Sequence, residues 1–189
     1  MGLKIHSLAE LPEAVNRGYY VYLLDYGWEE PLGKALRNNF DRMAGVASRH
    51  NAAVLLGLGD EFNDEVLSWH RINGEDADDL LPAVLITNKH PAHFARMHGS
   101  WNRKKDHLVL IPLRGHCKNT TDVAALIDGI FRDIKAKKPL MNFSVASKHR
   151  GGIGRAIIDA VVLKPTVAGM GIDLKELVLR FTKRGRNRA

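Results

Sequence analysis

Apolar residues recur along the chain in two spacings, and the alternation of these spacings predicts a mixed α/β fold. Four runs are apolar on both faces and rich in branched or aromatic side chains, which is typical of buried strands. They cover residues 19–26, 52–58, 80–87 and 107–113. Stripes at helical spacing predict a helix from Pro31 to about His50 and another over residues 121–138, capped by Thr121 or Asp122.

Weaker patterns predict several further elements. Ser7 and Glu10 have the spacing of a capping box, which favours a helix over residues 7–17. A short helix is expected between Phe62 and Trp69, and residues 89–106 are expected to form a loop with at most one helical turn. Toward the C-terminus, residues 142–147 and 157–163 are strand candidates, and a helix is expected from Asp173.

Prolines mark the ends of several of these elements. Pro31 suits the first turn of its helix, where the missing N–H has no helical partner. Pro82 opens a strand, a position where that N–H is not needed by the sheet. Pro112 lies inside the run 107–113 and therefore predicts an edge strand or a bulge there.

Over residues 19–137 the predicted order is strand, helix, strand, short helix, proline-led strand, strand, helix, and this order resembles the thioredoxin-like fold. In that family a Trp-Cys-x-x-Cys motif, often with proline before the second cysteine, lies between the first of these strands and its helix. The matching residues here are Trp28-Glu29-Glu30-Pro31-Leu32. The family also has a cis-proline opening the strand that faces this motif, and Pro82 occupies that place.

The resemblance implies a fold and a division of the chain. A central mixed sheet flanked by helices is expected over residues 1–139, as a thioredoxin-like domain. Residues 140–189 are expected to form a C-terminal β/α extension packed on the same domain and ending in a basic tail.

Redox chemistry is not implied, because Glu29 and Leu32 occupy the two cysteine positions. Thiol–disulfide exchange needs a nucleophilic thiolate and a second, resolving thiol. The one cysteine, Cys117, lies far from the motif in sequence. The resemblance therefore implies a redox-inactive interaction or assembly module without cofactor or catalytic residue, whose partner surface contains Trp28, Glu29, Glu30 and Pro82.

Glu29 and Glu30 also support an alternative, since a buried carboxylate can act as a general acid or base. An enzyme using one of them near Pro82 would lose its activity in Glu29→Gln. The same two residues have a purely structural interpretation, because acidic side chains at a helix N-terminus complement the helix dipole.

The charge of the chain is uneven. It has 189 residues, a net charge of +7 and a pI of about 9.6. Residues 60–79 nevertheless contain eight Asp and Glu and a single basic residue, Arg71. Acidic and basic regions on one small body favour a protein partner or self-association, in particular head-to-tail contact between copies.

Basic residues interleaved with an aromatic side chain support a nucleic-acid-binding alternative. They lie in the loop after residue 89, in the glycine-rich loop 148–155, whose backbone could form an anion nest, and in the C-terminal tail. The candidates are Arg96, Trp101, Arg103, Lys104, Lys105, Lys148, Arg150, Arg155, Lys183, Arg184, Arg186 and Arg188.

Other classes of function lack a clear signal. His90-x-x-His93 is a loose metal-binding spacing with no carboxylate nearby before Asp106, so no metal site is assigned. A single cysteine excludes an internal disulfide and favours a reducing, cytoplasmic compartment. The N-terminus lacks the apolar core of a signal peptide, and no stretch is long and apolar enough to predict a membrane span.

Overall fold

A computed structural model describes residues 1–27, 30–70, 80–95, 108–147 and 161–163. For residues 146–147 and 161–163 it describes only the backbone. The strands are β1 (Gly2–Ile5), β2 (Tyr19–Leu24), β3 (Ala52–Gly57), β4 (Ala83–Thr87), β5 (Leu108–Pro112) and β6 (Val161–Leu163). They form one mixed sheet in the order β1-β3-β2-β4-β5-β6. The pairs β1–β3 and β3–β2 are parallel, and the remaining pairs are antiparallel. The fold is therefore mixed α/β.

Helices cover both faces of this sheet. They are α1 (Pro31–Asn38), α2 (Phe40–Arg49), α3 (Glu61–Trp69), α4 (Pro91–Ala95), α5 (Leu113–His116), α6 (Thr120–Lys135) and α7 (Ser144–Ser147). Short 3-10 turns occur at Leu8–Glu10 and Leu140–Asn142. Apolar side chains of α1, α2 and α6 belong to one core, whereas those of α3 and α4 belong to the core on the opposite face.

The four buried strands predicted from the sequence are confirmed. They form the centre of the sheet. The order strand, helix, strand over residues 19–58 is that of a βαβ unit, whose two strands are expected to be parallel, and β2 and β3 pair in parallel from Tyr19 opposite Ala52 onward. Strand β1 has no counterpart among the predictions. Three of its four residues are not fully buried, so it lacks the continuous apolar run that marks the central strands.

The predicted helix over residues 31–50 is interrupted at Asn39, which separates α1 from α2. The Asn39 side-chain amide donates to the carbonyl oxygen of Ala35 at 2.8 Å, a local bond that competes with helical backbone bonding. The short helix of the acidic segment is confirmed as α3, and α4 is the single helical turn expected after residue 89.

The predicted helix over residues 7–17 is wrong, although its capping box is confirmed. Ser7 and Glu10 make both reciprocal bonds, but only the 3-10 turn Leu8–Glu10 follows. Pro12 cannot donate a helical hydrogen bond and disfavours helical backbone at the preceding residue. Leu11 accordingly has an extended conformation, with φ −76° and ψ 111°.

Two further details differ from the sequence expectation. The cap of α6 is Asn119 rather than Thr121 or Asp122, and its side chain accepts from the backbone N–H of Asp122 at 3.0 Å. Residues 142–147 contain the short helix α7 instead of a strand. Its first residue, Ser144, donates its N–H and hydroxyl to the buried carboxylate of Asp133, at 2.5 and 2.7 Å.

Pro112 is neither on an edge strand nor in a bulge. It is the last residue of β5 and pairs with Ala83 of β4, while the described pairing of β5 with β6 covers Leu108 to Leu110. Strand β6 confirms part of the predicted strand 157–163, while the glycine-rich loop, the C-terminal helix and the basic tail lie outside the described residues.

Candidate functional site

Two of the four residues predicted to bind a partner can be located, and they lie at the same edge of the sheet. Glu30 directly precedes α1, and Pro82 directly precedes β4. Because β2 and β4 are antiparallel neighbours, the end of β2 and the start of β4 meet at this edge, with Leu24 opposite Ala83. Trp28 and Glu29 fall outside the described residues.

Pro82 contributes through its backbone. The Leu81–Pro82 peptide bond is cis, and the Pro82 carbonyl oxygen accepts a hydrogen bond from the N–H of Leu113 at 2.8 Å. The residue itself is buried. This bond ties the start of β4 to the start of α5, directly after β5.

Glu30 is the N-cap residue of α1, but its side chain makes no capping bond. Instead its two carboxylate oxygens accept from Nε and one terminal nitrogen of Arg114, at 3.1 and 2.9 Å. A two-bond pairing of this kind fixes the orientation of both groups. The two side chains are 24% and 42% exposed, so the pair lies at the surface.

Arg114 therefore joins the two predicted residues into one site. The backbone N–H of its neighbour Leu113 donates to Pro82, while the Arg114 side chain binds Glu30. These two consecutive residues therefore connect the start of α5 to the start of β4 and to the start of α1. Sequence analysis did not select Arg114. The available signal was a basic residue directly after a buried strand, a position where side chains often reach the end of a sheet.

A second carboxylate, at the end of β2, was also missed by sequence analysis. Asp25 directly follows β2, its side chain is only 4% exposed, and it forms an ion pair with Arg37 of α1. The helix approaches the carboxylate closely at Gly33, where a Cβ atom would lie 2.7 Å from either oxygen. A carboxylate this close to a helix N-terminus interacts favourably with the helix dipole.

The backbone of Asp25 is fixed by a buried amide. Asn63 of α3 is 1% exposed, accepts from the Asp25 N–H and donates to the Asp25 carbonyl oxygen, both at 3.2 Å. Asn63 thus continues the bonding pattern of the sheet past the end of β2. The end of β2, which the motif-like residues Trp28 to Leu32 follow in sequence, is thus held in place by these two bonds.

The charged side chains located at this edge are held in ion pairs. Both carboxylates are paired with arginines, and Leu32, at the second motif position, packs against the core. Cys117 is buried, and its N–H donates to Leu113. The partly exposed Glu30–Arg114 pair presents one anion and one cation at the surface, each with a direction fixed by the two hydrogen bonds.

The predicted nucleic-acid contacts cannot be placed. All twelve residues, from Arg96 to Arg188, lie outside the described residues. Of the histidines, His90 is near Pro12, with Nε2 3.3 Å from that carbonyl oxygen, and it accepts from the N–H of Ala92. Among the residues that the structure describes, no three His, Cys, Asp or Glu side chains are grouped to hold a metal ion.

Comparison with known proteins returned no match: no protein-family model, no curated protein and no solved structure matches this chain. Within the described ranges, no helix has the length and apolar character needed to cross a membrane.

Proposed function

We propose that the chain is a redox-inactive, thioredoxin-like interaction module. Its partner would bind at the edge that contains the Glu30–Arg114 pair and the segment around Pro82, with Trp28 and Glu29 close by in sequence. The observation that carries this proposal is that Glu30 and the cis-proline Pro82 lie at one sheet edge and are joined by Leu113 and Arg114.

The order of elements supports the thioredoxin-like part of the proposal. Strand β2 is followed by α1 and α2, then β3, α3, a strand opened by a cis-proline, β5 and α6. This is the order on which the resemblance was based. Fold likeness alone does not assign a function, so the proposed function depends on the residues at the edge.

Those residues support binding over catalysis. Glu30 is engaged by two hydrogen bonds from Arg114, and no sulfur occupies the motif positions. Trp28, two residues before Glu30 in sequence, has a large amphipathic side chain of the kind that dominates binding energy at protein interfaces. Pro82, being buried, would position this surface rather than touch the partner.

The test has two steps, beginning with isolation of the full-length protein from native extract at low salt. Mass spectrometry identifies any stoichiometric partner, and the ratio of absorbance at 260 and 280 nm reports bound nucleic acid. A ratio that is high at low salt and collapses in ~1 M salt would contradict the proposal and favour the nucleic-acid alternative.

The second step measures the affinity of the purified partner for matched variants. Trp28→Ala, Glu30→Lys and Arg114→Glu should each weaken binding by roughly tenfold or more, because each changes an interface anchor or charge. Arg49→Glu makes the same charge change at the exposed end of α2 and should leave the affinity unchanged. Equal affinities for all four variants would refute the proposed edge.

A further inference from the structure

A groove between α2 and α6 combines an apolar floor with a mainly basic rim. Its volume is about 440 Å³. The floor consists of Met43, Val46, Ile127 and Phe131, and the rim of Arg42, Asp128, Arg132 and Lys135. We refer to it as the α2–α6 groove.

The rim carries uncompensated positive charge. Arg42 forms an ion pair with Asp128 at 3.0 Å, so the charge of this rim cation is neutralised. Arg132 and Lys135 are exposed, and neither side chain has an ion-pair partner among the described residues. An occupant of this groove should therefore present an apolar group next to acidic groups.

The chain itself carries such a group in the turn between β3 and α3. Leu58 is 51% exposed and is the one large hydrophobic side chain exposed in the described part of the chain. Its N–H donates to the carbonyl oxygen of Ile5 at 3.0 Å, which fixes the turn to β1. Asp60 and Glu61, both exposed, follow after Gly59, and within the described ranges neither has an ion-pair partner. We refer to Leu58, Asp60 and Glu61 as the acidic knob.

The groove and the acidic knob belong to helices on opposite faces of the sheet. The floor residues Met43, Ile127 and Phe131 are part of the core beneath α1, α2 and α6. The knob leads into α3, whose Phe62 and Val66 are part of the other core. A contact between them therefore has to join two copies of the chain, and it is head-to-tail rather than two-fold symmetric.

We propose that Leu58 of one copy enters the α2–α6 groove of a second copy, with Asp60 and Glu61 facing Arg132 and Lys135. The contact excludes water from Leu58, whose exposure is otherwise unfavourable, and pairs four charges that lack partners in the described part of one copy. Each junction leaves one free groove and one free knob, so copies add in sequence. This inference goes beyond the proposed function, because it uses neither Glu30 nor Arg114.

Sedimentation velocity of the full-length protein tests the proposal over roughly a hundredfold range of concentration. At ~50 mM salt the mean mass should rise with concentration, and it should fall toward the monomer at ~500 mM salt, since the rim charges are screened. Leu58→Ser and Arg132→Glu should each remain monomeric, whereas Arg49→Glu, the same charge change outside the groove, should behave as wild type.

Mixing the two inactive variants provides the decisive measurement. Leu58→Ser keeps an intact groove and Arg132→Glu keeps an intact knob, so an equimolar mixture should form a pair that cannot extend. A wild-type protein that stays monomeric throughout, variants that associate as wild type does, or a mixture that remains monomeric would each overturn the proposal. Failure of this proposal is distinguishable from failure of the proposed function. The proposed function predicts that Arg132→Glu binds its partner with wild-type affinity, whether or not copies of the chain associate.

Discussion

The carboxylate of Asp25 occupies the space that a side chain at Gly33 would need. A Cβ atom built at Gly33 would lie 2.7 Å from both oxygens, which is closer than a Cβ atom approaches an atom to which it is not bonded. Glycine thus allows α1 to begin directly over the end of β2, with Arg37 pairing to Asp25 one turn later. The geometry of the candidate site depends on this close approach.

Gly33→Ala should therefore destabilise the protein by about 1–3 kcal/mol, because the helix or the carboxylate has to move. Gly45→Ala is the matched control in α2, where no atom lies within 4 Å of the added Cβ. That substitution should stabilise the protein by roughly 0.5–1 kcal/mol through helix propensity. Urea unfolding of both variants measures the difference, and equal shifts for the two would contradict the close approach.

Tyr22 and Tyr20 on β2 differ in the hydrogen bonding of their hydroxyl groups. Tyr22 is fully buried and its hydroxyl has no hydrogen-bond partner among the described residues, whereas the Tyr20 hydroxyl donates to the carbonyl of Val15 at 2.6 Å and accepts from the backbone N–H of Arg17 at 3.0 Å. Burial raises the pKa of both, that of Tyr22 most strongly. Tyr22→Phe should stabilise the protein and Tyr20→Phe destabilise it, each by about 1 kcal/mol. Loss of stability in Tyr22→Phe would show that its hydroxyl is satisfied in solution.

His70 should make stability fall in mildly acidic solution. The ring is buried against Tyr22 and Phe94, with centroids 5.0 and 4.3 Å away, and burial lowers its pKa to about 4, although a bond to the Val66 carbonyl opposes this. An unfolded histidine has a pKa of about 6.5, so the unfolded state binds more protons between these values. Stability is then complete above pH 6.5 and declines as pH falls toward 4, by on the order of 3 kcal/mol.

His70→Phe keeps an aromatic ring at this position and should flatten that decline. The free energy of unfolding, measured in urea at intervals between pH 7.5 and 4, gives the slope for each variant. His6→Gln removes an exposed histidine and should leave the slope unchanged. An equally steep decline in wild type and His70→Phe would assign the pH dependence to other groups.

Asp133 should also make stability fall as pH falls, but in a more acidic range. Burial alone would raise its pKa, but bonds from Lys138 at 2.6 Å and from Ser144 outweigh that cost and lower it. A lowered carboxyl pKa contributes stability above the unfolded value of about 4, and this contribution is lost as pH falls through the folded value. Asp133→Asn should thus cost roughly 1.5–3 kcal/mol at pH 7 and much less at pH 3.

Asp128→Asn is the control for that measurement, since its pair with Arg42 is exposed and should contribute less than about 1 kcal/mol. Comparable losses in the two variants at pH 7 would contradict the role assigned to Asp133.

The same buried carboxylate explains why residues 142–147 could not be predicted as helical. Ser144 starts α7 by bonding to a residue eleven positions away, which short-range patterns do not register.

Interruptions and caps of helices were harder to predict than strands, for a related reason. The central strands are marked by their own apolar residues, so local sequence is enough. Asn39 and Asn119 act through hydrogen bonds to particular neighbours, and several polar residues nearby offer similar bonds. Pro12 was tolerated in the predicted helix, yet it ends helical structure after Leu8–Glu10.

The residues of the candidate site likewise fall into those that a sequence pattern identifies and those that only tertiary contacts identify. Glu30 and Pro82 stand out because each belongs to a short pattern, a motif-like loop and a proline that opens a strand. Asp25, Asn63 and Arg114 belong to no pattern and act through contacts across the sheet edge. They become recognisable once the strands are in register.

By itself, the sequence determined the α/β class, the four central strands and the parallel pairing of β2 with β3. The spacing of apolar residues marks each buried element, and the order of these elements along the chain sets the direction of the paired strands. It also determined the absence of a thiol pair at Trp28–Leu32. Only the tertiary structure decided that Arg114 binds Glu30, that Gly33 makes room for Asp25, and that the acidic knob and the α2–α6 groove lie on opposite faces of the sheet. These relationships join residues far apart in the chain, and their energies depend on distances that exist only after folding.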